Sequence, residues 1–197
     1  MAMTQLGNGL AAGEHYEDAL SVEEANLSTR RRIGVTEESL LDVQSNIACT
    51  YQKLGRQEQA LQIERDVYYG RLKLQGGEDH PQTLVAANNF VASLVDLRRF
   101  EEAKSLLREM IPVAQRVLGE SDVTTLRMRW NYAQSLYEDE GATLDDLRKA
   151  VTTLVVTERT ARRVLGGAHP LTRVIEQNLR NARAVLAARE TQLPASA

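Results

Sequence analysis

The sequence predicts an all-α fold, a tandem array of antiparallel helix pairs, and two observations carry that expectation. The first is periodicity. Between Thr83 and Gly119, apolar residues fall at Leu84, Ala87, Phe90, Val91 and Leu94, then again at Phe100, Ala103, Leu106, Leu107, Met110, Val113 and Val117. This is the three-and-four spacing of a helical face. The largely polar stretch from Asp96 to Arg99 leaves room only for a turn between antiparallel neighbours. The second observation is self-similarity, because a hairpin with one apolar stripe per helix cannot bury both stripes alone. Asn46 and Ala60 stand 43 positions before Asn89 and Ala103, and Asn131 stands 42 positions after Asn89. Ala150 lies 47 positions after Ala103, which places an insertion in the turn near Glu138 to Thr143. Asn178 joins the same column 47 positions after Asn131 and has no second helix behind it. About nine helices are therefore expected, the last an unpaired C-terminal cap.

Taken in order, residues from about Thr4 to Ala12 form the stub of a first helix, weakened by Gly7 and Gly9. His15 to about Arg31 is its partner, with Arg30, Arg31 and Arg32 well placed for the helix dipole and Gly34 ending it. Thr36 opens the next helix, which runs to about Leu54, and its mate runs from about Gln57 to Leu74 before Gly76 and Gly77. Pro81 suits a first helical turn, where its missing N–H has no partner to lose, and Pro170 repeats that placement. Pro112 lies inside a helix and predicts a kink. Thr143, followed by Asp145 and Asp146, opens the helix after the inserted turn, which extends to about Val164. The resulting organisation is one array over residues 1–190, with repeats at about 1–35, 36–78, 79–121 and 122–168, a capping helix at 169–190 and a disordered tail at 191–197. The half copies at both ends lead us to expect a segment of a longer polypeptide.

Three motifs recur in register along these elements. They are SNIA, NNFV and WNYA in the first helices; EHYEDA, LGRQEQA and RRFEEA at the turns; and GGEDHPQT, GESDVTT and GGAHPLT at the repeat boundaries. Together they resemble the tetratricopeptide repeat in its long variant of about 42 residues, as found in kinesin light chains. The resemblance runs from about His15 to Glu190. Departures are Glu23 and Glu64 where the family usually carries an aromatic residue, Leu94 where Tyr51 keeps the usual tyrosine, and Pro112. The resemblance implies a right-handed superhelical solenoid whose first helices line a concave groove.

Composition excludes several classes. The net charge is -3, and the arginine clusters are interspersed with acidic residues, so the basic stripe of a nucleic-acid reader is lacking. No run approaches the roughly 18 apolar residues that span a bilayer, and the start lacks the basic and apolar blocks of a signal peptide. A mean hydropathy of -0.36 and a single cysteine, Cys49, fit a cytoplasmic setting. His15, His80 and His169 fall at boundaries or turns without metal-ligand spacing. Cys49 has no histidine near it in sequence, and no phosphate-cradling glycine loop follows a strand. We expect neither catalysis nor a cofactor nor a metal.

The candidate site is the asparagine column. By the resemblance, Asn46, Asn89 and Asn131 face the groove and hydrogen-bond the backbone of an extended peptide, for which an amide offers both donor and acceptor. The competing expectation is that these amides bind backbone between repeats. Asn178 shares the column, and Asn88, Arg127, Trp130 and Gln134 lie one helical step away. Trp130 serves either as an aromatic anchor for a partner side chain or as packing between repeats. The function expected is a non-catalytic interaction module that takes a peptide or protein segment in the groove. The alternative is a structural spacer that self-associates through the truncated N-terminal repeat.

Overall fold

A computed structural model describes residues 2–192. Among them there are nine α-helices and no strand: α1 (Ala2–Ala12), α2 (Tyr16–Ile33), α3 (Glu37–Lys53), α4 (Gln57–Leu74), α5 (Pro81–Asp96), α6 (Phe100–Val117), α7 (Val123–Tyr137), α8 (Leu144–Leu165) and α9 (Pro170–Gln192). The all-α class and the helix order are those expected. Helix α9 runs through Thr191 and Gln192, and the rest of the expected tail, 193–197, lies outside the described residues.

Helix boundaries follow from local chemistry. Thr36 Oγ1 accepts from the Ser39 N–H at the start of α3. His80 Nδ1 accepts from the Gln82 N–H, Asp122 Oδ1 from the Thr124 N–H and His169 Nδ1 from the Leu171 N–H. Those three caps sit in the boundary motif, each three residues ahead of Thr83, Thr125 and Thr172, which are fully buried. Thr143 and Asp146 form a reciprocal capping box at the start of α8. At the far end of α2, Gly34 adopts the left-handed conformation with φ 71° and donates to Arg30 and Arg31 carbonyls. Helix α6 is unbroken through Pro112.

The chain packs as two compact units, Met1–Leu97 and Arg98–Ala197, divided in the turn between α5 and α6. In the first unit each helix packs on the next, α1 on α2, α2 on α3, α3 on α4 and α4 on α5. Its core includes Leu20, Val43, Ile47, Tyr51 and Ala60, with Leu27, Leu54 and Ile63 against them. Tyr68 of α4 stacks on Phe90 of α5 at 6.0 Å between ring centroids. In the second unit α6 packs on α7, α7 on α8 and α8 on α9, with a smaller contact between α7 and α9. Leu107, Met110, Leu126, Met128, Leu136, Leu147, Leu154 and Ile175 are wholly buried there. Burying one such side chain contributes about 1.5–3 kcal/mol, so neighbour-to-neighbour packing is the main source of stability.

The inserted turn after α7 is anchored from inside the second unit. Lys104 of α6, itself buried, donates to Asp139 at 2.8 Å and pairs with Glu101 at 2.6 Å. Asp139 in turn accepts from the Gly141 N–H at 2.9 Å.

Candidate functional site

The first helix of each pair carries the asparagine column, and the structure divides its members. Asn46 and Asn89 are half-buried, and neither amide is engaged by another side chain or by backbone among the described residues. Asn178 is 9% exposed and committed, since its Nδ2 donates to the Val174 carbonyl at 3.0 Å and its Oδ1 accepts from the Tyr137 hydroxyl at 2.6 Å. Asn88 and Asn131 are each 5% exposed and engaged. Successive helical residues are set about 100° apart, so when Asn89 points outward its neighbour Asn88 turns into the packing.

The remaining expected residues are distributed unevenly. Arg127 is exposed with no partner among the described residues. Trp130 is half-buried, and its indole N–H lies inside without an acceptor. Gln134 donates to Glu138 within the last turn of α7 at 3.0 Å.

In the first unit a cleft of about 160 Å³ opens beside Asn89, between α3 and α5. Asp42 and Ser45 of α3 form one side, and Val85 and Asn89 of α5 the other. Arg71 of α4 closes the base. Its guanidinium is buried and donates to Glu38 at 3.4 Å, to Asp42 and to Gln82. This one side chain ties α3, α4 and α5 together, with Asp42 as the carboxylate that lines the cleft beside it. Asp42, Val85 and Arg71 escape a reading of the motifs alone. Asp42 and Val85 lie one helical turn before Asn46 and Asn89, so the 3.6-residue period marks them as surface neighbours of the column. Arg71 has no such signal.

His80 and His169 are helix caps, and His15 precedes α2. No group of three or more His, Cys, Asp or Glu side chains among the described residues could hold a metal ion. Cys49 has accessible surface, yet burial of its sulfur, aided by Glu64 and Glu23 and opposed by Lys53, pushes the thiol above its ordinary value. The reactive thiolate is thereby disfavoured.

The sequence profile of the tetratricopeptide repeat matches residues 40–82 and 83–123. Those two stretches are tetratricopeptide repeats. Its fold is similar to that of the Podosopora anserina putative kinesin light chain with nearly identical TPR-like repeats, at 17% identity and a TM-score of 0.75, covering 96% of this chain and 88% of that one. A point-substituted form of the same protein gives a TM-score of 0.77 at 17% identity, with 96% and 87% covered. BtubC (BKLC) from P. vanneervenii is similar at 16% identity and a TM-score of 0.64, over 99% of this chain and 82% of that chain. At these identities the likeness is one of fold. A comparison with the curated proteins returns no match. Tetratricopeptide repeats generally mediate protein–protein interaction, and no described helix is long and apolar enough to cross a membrane.

Proposed function

We propose that the chain is a non-catalytic interaction module whose first-helix faces take an extended segment of a partner protein in the cytoplasm. The observation that carries this reading is the pair of unengaged, half-buried amides at Asn46 and Asn89, the latter lining a cleft, where Asn178 of the same column is already hydrogen-bonded within the fold. An amide free at both its donor and its acceptor matches a peptide unit. On this reading Arg127, Trp130 and Gln134 contribute to partner recognition on α7, while Asn88, Asn131 and Asn178 keep the helices in register. The test is selection of binding peptides from a random library displayed against the full chain, followed by fluorescence anisotropy. Asn46→Ala combined with Asn89→Ala should weaken a selected peptide roughly tenfold or more, the effect of losing one or two hydrogen bonds to a bound backbone. Equal affinity for the double variant would sink the reading.

A second reading, self-association through the first repeat, is favoured by Leu6, which is 55% exposed on α1. Light scattering across a concentration series tests it. A dimer that Leu6→Glu dissociates supports self-association, and a monomer at every concentration refutes it.

A further inference from the structure

Arg129 breaks the pattern of its own column. Its counterpart one repeat earlier is Ala87, which is fully buried on α5. Position 129 instead carries a guanidinium on a side chain only 14% exposed. Drawing such a group out of water is costly unless its five N–H donors find acceptors. Its one charged neighbour among the described residues is Glu120, at 3.7 Å and on a side chain 70% exposed. That separation is beyond a hydrogen bond, so the donors of Arg129 are left to the space they border.

That space is a cleft of about 320 Å³ inside the second unit. Arg129 and Tyr132 of α7 form its floor, Ile111 of α6 one wall, and Thr153 and Val156 of α8 the other. No carboxylate among the described residues lines it. At the Tyr132 side the charge is again positive, because Lys149 and Arg108 both lie beside the phenol and the Lys149 Nζ sits 5.1 Å from the ring centroid. Burial alone would raise the Tyr132 phenol, but those two cations outweigh it and bring it below its ordinary value. The volume lies at the lower end of small-molecule sites, which combine apolar walls with a few convergent polar groups.

We propose that this cleft binds a small organic monocarboxylate with an apolar body, its carboxylate held by the guanidinium of Arg129 and its body lying over Tyr132 between Ile111 and Val156. A planar guanidinium fork matches a carboxylate with two parallel N–H···O bonds, and Ile111, Val156 and the Tyr132 ring offer an apolar body contact surface that an inorganic anion cannot use. The site uses none of the residues assigned to the partner segment, so it stands or falls separately from that reading.

The test uses the 15N-labelled full chain and 4-phenylbutyrate as probe, with the neutral 4-phenylbutyramide as control, followed by amide and Arg Nε–H chemical shifts. Saturable shifts at Arg129, Tyr132, Thr153 and Val156 are expected, with the neutral amide at least tenfold weaker. Arg129→Met should weaken the acid at least tenfold. Val156→Trp, which fills the mouth from an exposed position, should abolish binding while leaving the spectrum dispersed, and this arm does not depend on how Arg129→Met folds. Equal affinity for acid and amide, shifts that never saturate, or full binding by Val156→Trp would each overturn the proposal.

Discussion

The Tyr137 hydroxyl donates a 2.6 Å hydrogen bond to Oδ1 of Asn178, and both side chains are buried. This joins the last residue of α7 to the middle of α9 and explains why the fourth asparagine of the column is not available at the surface. Burial first, and then the neighbouring Glu138 carboxylate, push the Tyr137 phenol well above its ordinary value, so it stays a donor at every working pH. Tyr137→Phe should cost about 1–3 kcal/mol, because it leaves a buried amide oxygen without a donor. Urea denaturation reads this as a lower midpoint at unchanged slope. A midpoint equal to that of the wild type would show that Asn178 finds another partner.

Glu23 and Glu64 occupy equivalent places on α2 and α4, yet only Glu23 is answered. Thr50 donates to Glu23 at 2.9 Å, while Ser93, the counterpart of Thr50, accepts from Gln52 and leaves Glu64 Oε2 without a partner. Burial raises Glu64 to about 8. The unfolded chain releases this proton near 4.5 and the folded chain keeps it until about 8. Stability therefore falls as pH rises through that window, by up to about 1.4 kcal/mol per pH unit, and levels off above it. Glu64→Gln should match the wild type near pH 5 and exceed it by a few kcal/mol near pH 8. Parallel stability curves for the two proteins between those pH values would contradict it.

Helix ends were the most legible feature of the sequence, because caps are read from adjacent residues. Thr36, Gly34, Pro81 and the Thr143–Asp146 box act where local chemistry places them. The repeat register also survived in detail, from the asparagine column to the three buried boundary threonines. Illegible were partners that meet only in three dimensions. Nothing near Arg71 in sequence announces that it gathers Glu38, Asp42 and Gln82, and nothing near Arg129 announces that it borders a cleft. The adjacent pair Asn88 and Asn89 shows the same limit at one-residue scale, since both fit the motif and only the packing decides which turns inward.

Gly70 lies inside α4, where alanine would favour the helix by about 1 kcal/mol. A Cβ there would lie 2.7 Å from Cδ2 of Leu41, itself 5% exposed on α3. Overpacking of this kind costs about 1–3 kcal/mol, so Gly70→Ala should destabilise the protein slightly despite the better helix former. Adding Leu41→Val, which shortens the opposing side chain, should recover part of the loss. If Gly70→Ala alone raises the unfolding midpoint, the approach of α3 to α4 is looser than the backbone indicates.

The inserted turn provides a pH-dependent test of its own anchor. The hydrogen bond from buried Lys104, followed by that from the Gly141 N–H, holds Asp139 below its ordinary value of 3.8. A carboxylate depressed in the folded state contributes stability that is fully present above its unfolded value and is lost as pH falls through the lower folded value. Asp139→Asn should therefore cost about 2 kcal/mol at pH 7, where it deprives a buried ammonium of one of its two carboxylates, and much less at pH 2.5. Lys104→Met removes the cation itself and should be better tolerated at pH 7 than Asp139→Asn. A double-mutant cycle on these two changes isolates the pair. A coupling of about 1–2 kcal/mol at pH 7 that shrinks in acid identifies the Lys104–Asp139 bond as what holds the insertion against α6, and a coupling indifferent to pH would assign that role to Glu101 and the surrounding packing.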